Sequence, residues 1–286
     1  MDLIKTFVKR YSVPIYYLLT FVISWCGILL AVGGPRNIPG TPGEFEKFIP
    51  RTIPAMLGGP AFTGLLMTGL VYGKRGYRDL LTRLVKFRLA PRWHEVSLLM
   101  APPLLMAVLP LALSVFWPEY MPRLFAKGDT AAILRLGIMA GLGAGIFEEI
   151  GWTGFVIPRL RQRHGLLSTG LIVGFLWGAW HLLVNVWSSG DAAGNISWPL
   201  FLHSFLFSAG ILPAFRVLMV LAYDRTESLL LAMAWHLSLT TSNVLFVPQT
   251  IEGATGIVWS LIIAAALWGV VAGAVWANRA RSSFSR

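Results

Sequence analysis

The chain has 286 residues, of which 56% are hydrophobic and 13% are charged, whereas soluble domains carry about 25% charged residues. This composition excludes an ordinary soluble domain and predicts an all-α, polytopic membrane protein. The formal net charge is +11, but membrane proteins retain Lys and Arg in their cytoplasmic loops, so we expect no nucleic-acid partner. Cys26 is the single cysteine, which excludes an internal disulfide and a cysteine-based metal site.

About eight apolar stretches are long enough to cross the bilayer as helices, since a span needs about 20 residues. Their approximate bounds are 13–33, 53–73, 96–117, 132–157, 166–187, 198–222, 227–247 and 254–277. Lys and Arg concentrate on the side that also holds both ends of the chain, which predicts cytoplasmic termini. The basic N-terminal segment precedes a stretch without a convincing cleavage site, which favours a retained span over a signal peptide. We predict one integral domain over residues 1–286, with the lipid bilayer of a bacterial-type cell membrane as its partner.

Residues 74–93, between the second and third stretches, are basic, and their leucines are spaced amphipathically. This pattern predicts a segment on the cytoplasmic membrane surface, with a solvated basic loop as the alternative. The segments 33–42, 188–195 and 248–256 are rich in Gly, Pro or other small and polar residues and predict loops on the external side.

Two adjacent acids, Glu148 and Glu149, interrupt the fourth apolar stretch. A charged side chain inside the bilayer costs about 2.5–3.5 kcal/mol on insertion scales, so an acid there indicates a functional site with a partner. The two side chains point about 100° apart on a helix, and we expect different roles for them. The structural alternative is a carboxylate that lines a water-filled crevice, or one that pairs with Arg135 or Arg216 to assemble the helices.

Small residues surround these acids and predict that neighbouring helices approach them closely. The glycines in question are at positions 141, 143, 145, 151 and 154.

Two histidines in other apolar stretches, His181 and His236, are the candidate partners of the acids. Trp177 and Asn185 share a helical face with His181, and Thr240 follows His236 by one turn. A lone histidine among aromatic residues is more often structural, so the prediction depends on convergence of the three stretches. We predict one buried polar site within residues 131–247. Its catalytic candidates are Glu148, Glu149, His181 and His236, and its supporting residues are Trp177, Asn185 and Thr240.

The remaining histidines are weaker candidates. We expect His203 to make a polar contact between helices, and His94 and His164 to be solvated in basic segments. Four tryptophans next to candidate polar groups are expected to wall the site. They are Trp152, Trp177, Trp180 and Trp235.

The run from Glu148 to Phe155, followed by Pro158 and Arg159, resembles the first signature of the CPBP family, the CAAX protease and bacteriocin-processing (Abi) membrane proteins. The second signature, an aromatic residue shortly before a histidine, resembles Trp177 and His181. The third resembles His236 and Thr240. All three occur in order over about a hundred residues.

Three positions depart from the family pattern. Thr153 stands where the family has an arginine, Thr240 replaces the usual asparagine, and Trp177 replaces a phenylalanine. A charge partner and an amide donor are thereby missing from the signatures, although a threonine hydroxyl still donates a hydrogen bond.

The resemblance implies an eight-helix intramembrane endopeptidase of the CAAX protease kind, which cleaves a peptide or a membrane-anchored protein near the cytoplasmic face. It implies that Glu148 acts with His181 to activate water, that His236 and Thr240 stabilise the oxyanion, and that Glu149 supports the arrangement. Two histidines and one glutamate also make a workable catalytic zinc set, so zinc and metal-free water activation both stay open. Whether the substrate is prenylated stays open as well.

Two other classes of function remain as alternatives. An immunity or scaffold protein would keep this fold and bind a peptide without cutting it. A transporter would use the acids and histidines to relay ions, but the stretches lack the paired halves with broken helices that many transporters have.

Overall fold

The computed structural model describes residues 2–86, 93–126, 128–251 and 253–284. These residues form α-helices joined by short turns, which confirms the all-α class. The helices are α1 Asp2–Arg10, α2 Ser12–Val32, α3 Pro42–Val85, α4 Trp93–Ser114, α5 Thr130–Gly151, α6 Ile157–Leu160, α7 Leu166–Trp180, α8 Leu182–Trp187, α9 Trp198–Leu206, α10 Leu212–Thr226, α11 Leu229–Phe246 and α12 Ala254–Phe284.

Within the described residues, seven helical segments are long and apolar enough to cross a membrane, which confirms a polytopic membrane protein. Three of the seven combine consecutive elements: α5 with α6, α7 with α8, and α9 with α10. The third predicted stretch, 96–117, corresponds to α4, in which the apolar part Met100–Ser114 is shorter than the other seven.

Helix α3 is 44 residues long and exceeds the predicted span 53–73 at both ends. It begins with a capping box, in which the Thr41 hydroxyl accepts from the Glu44 backbone N–H and the Glu44 carboxylate accepts from the Thr41 N–H. At Gly73 the backbone leaves helical geometry, with φ at 61°, a value that glycine adopts without steric cost. The basic segment after Gly73 therefore continues as a helix set at a kink to the span.

The apolar side chains after Gly73 do not all face the same way: some are buried against the protein and others are exposed. Leu80 is buried against Leu229 and Met233 of α11, while Leu81 and Val85 are exposed. A position on the membrane surface stays a prediction, and residues 87–92 of this segment lie outside the described residues.

Close packing of α5 on α11 brings the acid-bearing helix against the helix of His236. A Cβ atom built on Gly145 would lie 2.6 Å from the carbonyl oxygen of Met233. A side chain larger than hydrogen would push the two backbones apart, and the glycine thus permits the short interhelical distance. A π-helical turn, Trp152–Val156, follows α5 and widens the helix shortly after the acids.

Helix α10 lies at the centre of the bundle. Every residue from 212 to 223 is buried, including the side chain of Arg216. The apolar side chains of α10 belong to the main hydrophobic core together with those of α7 and α12. A cation on this central helix is thereby presented to the interior and away from lipid.

Candidate active site

The four catalytic candidates come from three spans. Glu148 and Glu149 lie in the last turn of α5, His181 lies at the junction of α7 and α8, and His236 lies within α11. Glu148, Glu149 and His236 are at most 3% exposed, and His181 is half-buried. Buried charges of this kind require partners, because water does not solvate them.

Glu149 is the acid that contacts a histidine directly. Its Oε1 accepts a hydrogen bond of 2.7 Å from His236 Nδ1 and one of 2.9 Å from the Arg216 guanidinium. Its Oε2 accepts from the other guanidinium nitrogen at 2.8 Å and from the hydroxyl of Thr153. Both carboxylate oxygens are thus occupied, and Glu149 acts as a fully satisfied anchor for the His236 ring.

Glu148 is held by indoles and by no cation in the described part of the chain. Its Oε2 accepts from Trp177 Nε1 at 2.6 Å and from Trp152 Nε1 at 3.2 Å. Indole N–H groups donate hydrogen bonds and carry no positive charge. Glu148 is therefore the less neutralised of the two acids and the one suited to accept a proton.

His181 is oriented by its own helix. Its Nδ1 lies 2.9 Å from the backbone carbonyl oxygen of Trp177, which accepts only, so Nδ1 carries the hydrogen. The lone pair then resides on Nε2. The His236 ring has the same tautomer when neutral, since its Nδ1 donates to Glu149. In each neutral imidazole, Nε2 is therefore the nitrogen whose lone pair can accept a hydrogen bond or a proton.

Trp177 connects these groups. It donates to Glu148, its carbonyl receives His181, and its ring centroid lies 4.9 Å from that of His236. Among the described residues, no direct hydrogen bond or ion pair joins the Glu148 carboxylate to the His181 ring. Glu149 thus contacts His236 directly, whereas Glu148 and His181 both contact Trp177.

The supporting residues divide in their contacts. The side-chain amide of Asn185 donates to Ser208 Oγ at 2.8 Å and to the Ser204 carbonyl at 3.3 Å, so Asn185 joins α8 to the α9–α10 span. Thr240 is half-buried, and its hydroxyl has no hydrogen bond within the described residues. Of the two, Thr240 is the one with an uncommitted donor.

The weaker candidates lie elsewhere. His203 Nδ1 contacts Ser260 Oγ at 2.8 Å and the Gly256 carbonyl at 3.0 Å, a contact between α9 and α12 of the expected kind. His164 is exposed, and His94 lies outside the described side chains. Arg135 is exposed near Asp129, so the structural alternative of a carboxylate paired with an arginine applies to Glu149 with Arg216 and not to Arg135.

The sequence predicts Trp152 only as a wall of the site, and Trp177 as a wall and a supporting residue; it predicts neither as a donor to Glu148. The signal that points to Trp152 is its spacing: it follows Glu148 by four residues and shares its helical face. Thr153 follows Glu149 in the same way. Spacing within α5 thus predicts two contacts, while the donor from Trp177 depends on the packing of α7.

A zinc site would require Glu148, His181 and His236 to turn their ligand atoms to one point. Among the described residues, no three His, Cys, Asp or Glu side chains are grouped so that they could hold a metal ion. As placed, these side chains do not form a zinc set.

Comparisons with known proteins match the part of the chain that contains the candidate site. Residues 130–242, which contain all four catalytic candidates, match the model of the Type II CAAX prenyl endopeptidase Rce1-like family. The chain is also 23% identical over 235 residues to CAAX prenyl protease 2 of Methanococcus maripaludis, covering 79% of this chain and 82% of that protein. At family level these matches support an intramembrane protease. Both matches support a relationship to the CPBP-type family of membrane proteins.

Proposed function

We propose that this protein is an endopeptidase that uses Glu148 and His181 to activate a water molecule inside the membrane. The observation that carries the proposal is the environment of Glu148, a buried carboxylate held by two indole N–H groups and by no cation of the described chain. A carboxylate that is positioned but not neutralised is a suitable general base.

The hydrogen-bonding capacity of the two groups supports this division of work. Glu148 and the Nε2 atom of His181 are both acceptors, so a water molecule between them would donate one O–H to each. Its oxygen lone pair would then be directed at the scissile carbonyl carbon. As the C–O bond forms, Glu148 takes the proton, and it later delivers that proton to the amine as the C–N bond breaks.

His236 and Thr240 would stabilise the oxyanion in this proposal. The Glu149 carboxylate holds His236 through Nδ1, and the protonated ring would donate from Nε2. The Thr240 hydroxyl, one turn along α11, would supply the donor that an asparagine supplies in the family pattern. Glu149 acts on this part of the site through His236.

We also propose that both termini are cytoplasmic and that cleavage occurs near the cytoplasmic face. The distribution of Lys and Arg supports this orientation, because positive residues are retained on that side. The substrate class is a peptide or a membrane-anchored protein, and prenylated and unmodified peptides are both candidates.

The test is a cleavage assay on the purified full-length protein in detergent or proteoliposomes. Fluorescence-quenched peptides of identical sequence, farnesylated and unmodified, would be compared with and without a zinc chelator. The matched variants are Glu148→Gln and Glu119→Gln, the second of which removes an exposed carboxylate. We expect cleavage by the wild type and Glu119→Gln, and a loss of about 10²–10⁴-fold in kcat for Glu148→Gln.

Three outcomes decide between the proposed metal-free endopeptidase and its alternatives. Full activity of Glu148→Gln would contradict the proposed base. Peptide binding without cleavage by the wild type would favour the scaffold alternative. Loss of activity with the chelator, restored by zinc, would contradict the metal-free mechanism.

A further inference from the structure

Arg216 is a cation in direct contact with Glu149, and its side chain is fully buried on the central helix α10. Its two terminal nitrogens bind the two oxygens of Glu149 at 2.8 and 2.9 Å. Its guanidinium carbon also lies 4.3 Å from the centre of the Trp177 ring. A planar guanidinium in this bidentate geometry fixes the carboxylate in position and orientation.

The contact continues from Glu149 to His236. Oε1 of Glu149 accepts from both Arg216 and His236 Nδ1. Because the carboxylate cannot rotate without breaking its bidentate pair, the His236 ring inherits a fixed position. Arg216 is thereby two contacts away from the Nε2 atom to which the proposed function assigns a role.

Charge balance gives Arg216 a second effect. Glu148 and Glu149 are adjacent and buried, and two like charges at this distance repel each other strongly in a low dielectric. Arg216 neutralises Glu149 and not Glu148, since its terminal nitrogens bind only Glu149. The arginine thus allows the two acids to have the different roles proposed above.

Position 153 faces the same carboxylate. The Thr153 hydroxyl binds Oε2 of Glu149, the oxygen that also accepts from Arg216 Nη1. A longer, positively charged side chain at 153 would therefore reach Glu149 from within α5. In this chain position 153 carries a short hydroxyl side chain, and the positive charge next to Glu149 is that of Arg216 on α10.

We propose that Arg216 is a positioning residue that fixes His236 through Glu149, and that it supplies from α10 the positive charge absent at position 153. This inference rests on the proposed function for its kinetic readout. The second part of the inference, that the positive charge beside Glu149 can come from position 216 or from position 153, is tested separately by the thermal unfolding midpoint.

The experiment uses five forms of the full-length protein in addition to the wild type. They are Arg216→Met, Arg216→Lys, Thr153→Arg, the double variant Thr153→Arg with Arg216→Met, and the control Arg135→Met, which removes an exposed arginine from α5. Each would be checked for a monodisperse peak in detergent. Cleavage kinetics and the thermal unfolding midpoint would then be measured under the same conditions.

We expect Arg216→Met to lower kcat by about tenfold or more with a smaller change in KM, because small misplacements at a reacting centre have effects of this size. Arg216→Lys should be intermediate, since an ammonium cannot make the bidentate contact. The double variant should recover kcat and unfolding midpoint relative to Arg216→Met. In the presence of Arg216, Thr153→Arg should lower both, because two cations would then compete for one carboxylate. Arg135→Met should behave as the wild type.

The sign reversal of Thr153→Arg is the decisive result. If this substitution lowers the midpoint equally in both backgrounds, Arg216 is not a relocated charge partner. If the midpoint recovers and kcat does not, Arg216 supports folding only and the positioning role is wrong. If the wild type cleaves no peptide, the proposed function fails, and the sign of the Thr153→Arg effect on the midpoint still decides the charge relocation.

Discussion

The indole nitrogen of Trp177 donates a 2.6 Å hydrogen bond to Oε2 of Glu148, and this bond joins α7 to α5 at the centre of the site. Because the backbone carbonyl of Trp177 also receives His181 Nδ1, one residue sets the position of both the acid and its proposed histidine partner. A phenylalanine at this position would retain the ring contacts and lose the donor. The tryptophan therefore adds a function that an aromatic ring alone does not provide.

Substitution Trp177→Phe is expected to lower kcat by about tenfold with little change in KM. A hydrogen bond to a charged group contributes about 1.5–3 kcal/mol, of which part is retained because Trp152 still donates to Glu148. The control is Trp268→Phe, which removes an indole donor to the Gly210 carbonyl away from the acids. Steady-state cleavage kinetics measure the effect, and equal losses in the two variants would contradict a specific role for Trp177.

The two acids are expected to differ in stability as well as in catalysis. Glu149→Gln leaves Arg216 as an uncompensated buried charge and should cost about 3–5 kcal/mol. Glu148→Gln removes no ion pair and should cost about 1 kcal/mol. Unfolding midpoints in matched detergent provide the comparison.

The pair itself is tested by a double variant. Glu149→Gln combined with Arg216→Met should be less destabilised than Glu149→Gln alone, because no unpaired charge remains. A loss of stability in the double variant equal to the sum of the losses in the two single variants would show that Glu149 and Arg216 are not coupled.

Two neighbouring threonines on α11 allow the role of an oxyanion donor to be tested separately from that of a packing contact between helices. Thr240 has an uncommitted hydroxyl, whereas the Thr241 hydroxyl donates to the Gly137 carbonyl of α5 at 3.0 Å. Thr240→Val should lower kcat by about 10²-fold and keep the unfolding midpoint, since loss of one oxyanion donor has this effect. Thr241→Val should lower stability by about 1 kcal/mol and keep most of the activity.

Substitution of Thr240 by asparagine, the residue usual in the family, provides the complementary result. We expect Thr240→Asn to match or exceed the kcat of the wild type. Unchanged kinetics of Thr240→Val would show that the hydroxyl does not contact the oxyanion.

The sequence was sufficient to predict the helical class, the apolar stretches and the residues at the centre of the candidate site. Apolar length and intramembrane charge are local properties, so they can be read without a structure. The choice of Arg216 as the partner of Glu149 could not be derived, because it depends on which face α10 turns toward α5. The extension of α3 to residues 42–85 was also missed, since the kink at Gly73 and the basic turn after it lack the apolar signal of a span.

The contact of α7 with α10 gives a last prediction about this nonlocal arrangement. A Cβ atom on Gly174 would lie 2.5 Å from Pro213 Cα and 3.2 Å from Arg216 Cβ. Because backbone atoms cannot yield locally, Gly174→Ala should displace α10, at about 1–3 kcal/mol of stability, and move Arg216 relative to Glu149. The matched control is Gly269→Ala in α12, where a Cβ would meet no atom within 4 Å. We expect a lower unfolding midpoint and a loss of about tenfold or more in kcat for Gly174→Ala only, since misplacement at a distance reaches the reacting centre through rigid elements. Wild-type kinetics in a destabilised Gly174→Ala would show that the position of α10 does not control the site.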